Sequence, residues 1–295
     1  MDERLFREGK LKQVRDILLD NLKKCRLCPR QCNVNRIDGE IGFCRTKRHA
    51  LVSSAFLHFG EEPELVGRGG SGTIFFSYCN LGCRFCQNYT ISHLGEGDEV
   101  EAPQLATMML ALQKQGAENI NFVTPTHVIA QIVEALCLAV EEGLNLPLVY
   151  NCGGYESLDT LRLVEGIFDI YMPDVKYSDN TVAERFSAAP DYWDVVQEVL
   201  KEMHRQVGDL VVKDKAAKRG LLVRHLLLPS RLAGSFKTLQ FIKEEVSPHT
   251  YVNIMDQYRP CHEASAFKEL SRRITMDEHA EAVEYAKRVG LHRGF

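Results

Sequence analysis

The sequence predicts an α/β fold: a partial, TIM-like (β/α)6 barrel with a small N-terminal four-cysteine module and a C-terminal helix. Three observations predict it. From residue 73 onward, short apolar runs alternate with helix-like segments. The runs are continuous in Val, Ile, Leu and Phe rather than alternating, as in strands buried on both faces of a parallel sheet. Seven of the ten Cys fall in two tight clusters, one ahead of the first run and one directly after it.

The predicted strands are Thr73–Ser77, Ile120–Thr124, Leu146–Asn151, Ile167–Pro173, Leu221–Leu227 and Tyr251–Met255. Helices are expected between them. Gln104–Gln115 stops at Gly116, Val128–Glu142 follows Thr126 and stops at Gly143, and Asp191–Val207 stops at Gly208. Phe236–Val246 starts after Ser235, and Ser157–Val164 reads as a shorter helix. Trailing Gly and leading Ser or Thr are the usual stop and start signals. Six βα units with right-handed crossovers give an open barrel, two short of closure. Val211–Arg219 reads as a polar excursion, a hairpin turn ahead of the fifth strand, and Thr275-Met276-Asp277-Glu278 as a capping box for a last helix ending near Gly290. Residues 1–67, with a helix over Val14–Lys24, do not follow the βα rhythm. The expected division is therefore 1–67, an extension with a metal site; 68–262, the barrel; and 263–295, a helical segment.

Composition narrows the class. A chain of 295 residues suits one α/β barrel, and 45% hydrophobic with 26% charged content is ordinary for a globular protein. A net charge of −4 offers no bulk attraction to nucleic acid or an anionic membrane. No apolar run approaches the roughly 20 residues that span a bilayer. The start, MDERLFREGKLKQVRD, is charged and amphipathic, unlike a signal peptide. Clustered Cys in a chain of this size read as metal ligands in a reducing compartment, so a cytoplasmic protein is expected.

Cys79, Cys83 and Cys86, spaced C-x3-C-x2-C, share one loop after the first strand. Four thiolates would close a [4Fe-4S] cluster, whereas three leave an iron open for chemistry. A zinc site with a fourth ligand from elsewhere is the other reading, although zinc sites more often use two C-x2-C pairs. Cys25, Cys28, Cys32 and Cys44 form a second, closed set suited to structural zinc or an auxiliary Fe–S cluster, with unligated thiols as the alternative. Nearby Arg26, Arg30, Arg36 and Arg45 suit either metal.

The spacing of the three-Cys loop resembles the signature of the radical S-adenosylmethionine (SAM) superfamily. The resemblance implies a [4Fe-4S] cluster on Cys79, Cys83 and Cys86. Its free iron would chelate SAM, and an electron from the cluster would cleave SAM to a 5′-deoxyadenosyl radical. The order of strand ends over roughly residues 55–260 is similar to the branch containing the pyruvate formate-lyase-activating enzyme. The stretch HFGEEPELVGRGGSGTIFFSYCNLGCRFCQNY is most similar to a subgroup with an N-terminal Cys motif. That likeness implies SAM contacts from Asp174 and Lys176 (the D-x-K end of the fourth strand), Arg224 on the fifth strand, Asn151 on the third, and Phe85 against the adenine. Thr124-Pro125-Thr126 stands where the branch has a G-G-E-like turn, so Thr124 would replace those contacts through hydroxyls and carbonyls. The extra Cys of activating enzymes usually follow the first strand, whereas here they precede the barrel.

The implied function is a radical SAM enzyme that abstracts hydrogen, by activating a glycyl radical enzyme or by modifying a peptide or small metabolite. An external electron donor and a protein or peptide substrate are the expected partners, with no nucleic acid and no membrane. A zinc-binding or iron–sulfur electron-transfer protein is the non-enzyme alternative. No side chain is assigned a catalytic role. Asp174 and Lys176 also read as an exposed turn pair, His127 as a helix start, His225 as a satisfied buried histidine, and Gly153-Gly154 as a plain turn or a close backbone approach. Arg68–Gly72 is a flexible entry to the first strand, Cys137 a small core residue, and Cys152 and Cys261 leftover thiols near strand ends.

Overall fold

A mostly parallel sheet, curved into an open barrel, organises the molecule. The computed structural model describes residues 9–295; the charged start lies, for its first eight residues, outside them. The strands are β1 (Ala50–His58), β2 (Ser71–Phe76), β3 (Asp98–Val100), β4 (Ile120–Val123), β5 (Leu148–Cys152), β6 (Ile170–Pro173), β7 (Val211–Lys213), β8 (Ala216–Leu226) and β9 (Tyr251–Met255). Their order is β3-β1-β2-β4-β5-β6-β8-β7, with β9 on the other side of β8. Neighbours along β2, β4, β5, β6, β8 and β9 are all parallel. These six are the strands expected from the sequence. β1 adds antiparallel to β2, and β3 antiparallel to β1. The excursion at 211–219 is a hairpin, β7 with the start of β8.

Connections run through α1 (Lys10–Asn21), α2 (Ala102–Lys114), α3 (Ile129–Glu141), α4 (Leu158–Leu163), α5 (Asn180–Ser187), α6 (Tyr192–Val207), α7 (Ser235–Phe241) and α8 (Met276–Val289). Local chemistry sets their ends. Glu101 with Gln104, and Thr275 with Glu278, form capping boxes that satisfy orphan N–H groups of α2 and α8. The Asp179 carboxylate accepts from Thr181 and Val182 N–H at the start of α5. Gly116 and Gly143, at φ +92° and +96°, follow α2 and α3 where a side chain would strain the backbone.

Alternation places the core. Ile74, Phe122, Tyr150, Tyr171 and Val223 face the helices in one large cluster. Val149, Ile170, Met172 and Leu222, on the opposite, inward faces, pack with Leu65, Leu210 and Ala217. The inward positions one layer further on include the polar Asn151, Asp174 and Arg224 beside Phe75 and Val123. That layer is where the cavity lies.

Candidate active site

The loop carrying Cys79, Cys83 and Cys86 leaves β2 after Phe76 and is pinned across α5: Gly82 N–H donates to Ser187 O (3.1 Å) and Arg84 N–H to Phe186 O (2.8 Å). Each sulfur meets a hydrogen-bonding group. Leu81 N–H donates to Cys79 Sγ (3.3 Å), Ser187 Oγ–H to Cys83 Sγ (3.0 Å), and Cys86 Sγ lies 3.1 Å from Ser92 Oγ. Burial pushes the Cys79 and Cys83 thiols up, with Lys176 opposing it. Such thiols ionise readily only against a bound cation. Donors aimed at sulfur are the groups that tune an iron–sulfur cluster, so this loop fits one.

The chain beyond β9 crosses the loop: Phe85 meets Tyr258 edge-on (5.8 Å), His262 lies against Tyr89 and His93, and Glu263 N–H donates to Arg84 O.

Cys83, Phe85 and Cys86 line a cavity of about 410 Å³ at the C-terminal ends of the parallel strands, together with Asn151, Asp174, Lys176 and Arg224. This end of a parallel barrel is where ligands bind. Lys176 Nζ donates to Asp174 Oδ2 (2.6 Å), Arg224 Nε to Asp174 Oδ1 (2.8 Å), and Arg224 Nη2 to Asn151 Oδ1 (2.8 Å). Burial opposes ionisation of Asp174, but Arg224 and Lys176 outweigh it and hold the carboxyl below its usual range. The pair is therefore no exposed turn; it is a buried ion cluster at the rim.

Of the residues expected from the sequence, Phe85, Asn151, Asp174, Lys176 and Arg224 converge here. Thr124 sits at a positive φ of 62°, its N–H donating to Asn151 O (2.8 Å), and Val123, not Thr124, lines the cavity. Gly154, at φ +75°, lies so close to β6 that a Cβ would meet Asp174 O at 2.5 Å, and a Cβ on Gly153 would meet Leu81 at 2.7 Å. Gly153-Gly154 is thus a close backbone approach that lets the cysteine loop rest on β5. His225 is a satisfied core histidine between Val175 O (2.7 Å) and Ser235 Oγ (2.8 Å).

The β1–β2 connection supplies a wall that sequence reasoning missed: His58, Gly60 and Glu61. Glu61 lies 3.4 Å from Arg224 Nη1, and burial pushes its carboxyl up to about 7 against the pull of Arg224. The run Glu61-Glu62 before Pro63 was the available signal.

Cys25, Cys28, Cys32 and Cys44 surround one small cavity of about 10 Å³, joined by Arg36, Gly42 and His127. Burial pushes the Cys28 thiol up to about 12 and raises Cys44 as well. Phe43 N–H donates to Cys32 Sγ (3.4 Å), and a Cβ on Gly42 would stand 2.7 Å from that sulfur. The donor set and the cradle suit a tetrathiolate site. Among the described residues, no three His, Cys, Asp or Glu side chains close directly around a single ion position.

The fold and the three-cysteine loop fit an iron–sulfur class, and the comparisons give the family. The family model described as "Radical SAM superfamily" matches residues 73–214. An uncharacterised protein of Methanocaldococcus jannaschii is 32% identical over 285 residues, covering 94% of this chain and 78% of that one. Two solved structures share the fold. One is a radical SAM methyltransferase from Sphaerobacter thermophilus (TM-score 0.53, 14% identity, 76% of this chain and 65% of that one). The other is HydG, a maturase of the [FeFe]-hydrogenase (TM-score 0.50, 11% identity, 74% and 49%). The chain spans about two thirds of the first and half of the second. Over residues 73–214 it belongs to the radical SAM superfamily.

Proposed function

We propose that Cys79, Cys83 and Cys86 hold a [4Fe-4S] cluster and that Asn151, Asp174, Lys176 and Arg224 hold SAM beside it, for hydrogen abstraction from a protein or peptide partner. When bound, the cluster supplies the electron that cleaves SAM to a 5′-deoxyadenosyl radical. One observation carries the reading: Cys83 and Cys86 of the three-cysteine loop and a buried Asp–Lys–Arg cluster line a single cavity. Lys176 and Arg224 offer fixed cationic donors to a carboxylate. Asp174 and Asn151 orient those donors, and Phe85 presents an aromatic wall for adenine. The apolar parts of Phe75, Val123, Leu226 and Met255 exclude water.

A partner protein is favoured because the sheet does not close, ending at β9 on one side and at β1 with its short partner β3 on the other, and Phe56 and Phe59 are exposed on the β1 side. A cavity of this size is a site for one small molecule, so a substrate beyond SAM must reach in from outside. Activation of a glycyl radical enzyme is the first form of this reading. Modification of a peptide or small metabolite is the second. The four-cysteine module is read as a structural zinc site or an auxiliary cluster.

Anaerobically purified protein, reduced with dithionite and given SAM, should release 5′-deoxyadenosine. With the true partner deuterated at the reacting carbon, deuterium should appear in that product. Iron-loaded protein that leaves SAM intact would reduce the chain to an electron carrier and defeat the proposal.

A further inference from the structure

We propose that the four-cysteine module is a positioning clamp for the cysteine loop of the active site, acting through Arg30; this rests on the reading that Cys79, Cys83 and Cys86 carry the SAM-cleaving cluster. Arg30 lies two residues after Cys28, yet among the described residues its guanidinium donates only to the barrel. Nε donates to Asn80 O (2.9 Å), Nη1 to Ala188 O, and Nη2 to Ser187 O at a long 3.5 Å. Asn80 follows the ligand Cys79, and Ser187 is the residue whose hydroxyl donates to Cys83 Sγ. One planar fork therefore bridges the tip of the loop and the C-terminus of α5 that supports it.

The module also orients the fork. The guanidinium lies 3.8 Å from the Phe43 ring centroid, and Phe43 is next to Cys44 while its own N–H donates to Cys32 Sγ. The Tyr155 ring lies 5.1 Å from the same guanidinium, and the Tyr155 carbonyl accepts from Asn80 Nδ2 (2.6 Å). Filling the four-thiol site thus fixes both Arg30 and the ring it stacks on.

A second chain reaches the root of the same loop. Arg36, almost fully buried, donates to His127 O (2.8 Å) and approaches Cys25 Sγ (3.8 Å); His127 Nε2 in turn donates to Ser77 O (2.9 Å), two residues before Cys79. The module grips the loop at root and tip. Groups that orient ligands and aim donors at sulfur set a cluster's potential as well as its retention.

The test compares wild type, Arg30→Gln, Arg30→Lys and Arg48→Gln as full-length, anaerobically reconstituted protein. Arg48 joins the module to Glu134 of α3 (2.7 Å) without touching the loop, so its loss reports docking alone. Iron content, midpoint potential, the SAM-induced change in the EPR spectrum and 5′-deoxyadenosine formation are measured. Only an open iron responds to SAM, so the EPR change isolates the active-site cluster from any cluster in the module.

Arg30→Gln should displace the midpoint potential, alter the SAM-responsive signal and slow SAM cleavage about 10- to 100-fold; Arg30→Lys should recover part of the rate. Arg48→Gln should lower the melting temperature while leaving potential, spectrum and rate at wild-type values. If Arg30→Gln does not fold, Phe43→Leu is read in its place, with a smaller shift in the same direction. Wild-type potential and spectrum in the Arg30 and Phe43 variants would overturn the clamp while leaving the site assignment standing. A wild-type protein with no SAM-responsive signal would remove both.

Discussion

Asp174 keeps its charge in a buried site only because Lys176 and Arg224 flank it. Removing any one of the three leaves the others imperfectly paired, and removing either cation also takes away a donor for the SAM carboxylate. Ala at Lys176 or Arg224 should therefore weaken SAM binding by about 10- to 150-fold, from the loss of a charge-assisted bond worth roughly 1.5–3 kcal/mol. Ala at Asp174 should do likewise, by releasing both cations from position. Iron content should stay at wild type in all three, and equilibrium binding to the reconstituted protein checks it. Glu156 supplies a pH prediction. It is buried under β5, accepting from Thr126 Oγ1 and Tyr150 OH (2.8 Å each), and burial pushes its carboxyl up to about 7. Since its folded pKa lies above the unfolded value, its contribution is complete below the unfolded range and is lost as pH rises through about 7. Wild type measured against Glu156→Gln should lose a few kcal/mol, at most, between about pH 4.5 and 7. Denaturant titrations across that window check it, and parallel curves for the two proteins would contradict it.

Strand ends, more than single residues, assemble the cavity. Gly154→Ala would force a Cβ to 2.5 Å from Asp174 O at a φ of +75°. It should destabilise the protein by about 1–3 kcal/mol and loosen SAM binding together; a denaturant midpoint and a binding isotherm measure both. In the module, Cys25→Ala or Cys44→Ala should lower the melting temperature more than it changes the iron count of the Cys79 loop. Metal analysis of the lost ion then distinguishes zinc from iron. The six parallel strands were legible because strands buried on both faces leave unbroken apolar runs, such as Ile120–Val123. β1 was not, since Ala50–His58 carries Ser53 and Ser54 within it, joins antiparallel and leads into no crossover helix. Missing β1 hid His58 and Glu61, which reach the cavity only because that strand lies beside β2. α5 escaped for a related reason: Asn180–Ser187 is short and largely polar along its exposed side, and its Ser187 contact with Cys83 is invisible without the tertiary fold. The Asp174–Lys176 pair was reached through the D-x-K resemblance, since two charges after a strand also read as an exposed turn pair, and only the tertiary fold buries them beside Arg224.

At the scale of the whole molecule, an N-terminal module and a C-terminal segment both converge on one eight-residue loop at the open end of a six-stranded barrel. Superfamily membership fixes the class of chemistry, while the wall from β1 and the clamp from the module are features of this chain's own architecture. Everything proposed for SAM, for the partner and for Arg30 depends on the three loop thiols being iron ligands. The most direct test replaces Cys79, Cys83 and Cys86 together by Ala and measures iron and 5′-deoxyadenosine after anaerobic reconstitution with SAM and dithionite. The variant should lose about four irons relative to wild type and form no 5′-deoxyadenosine, while any metal on Cys25, Cys28, Cys32 and Cys44 is retained. Full iron content with wild-type cleavage of SAM in the triple variant would contradict the assignment.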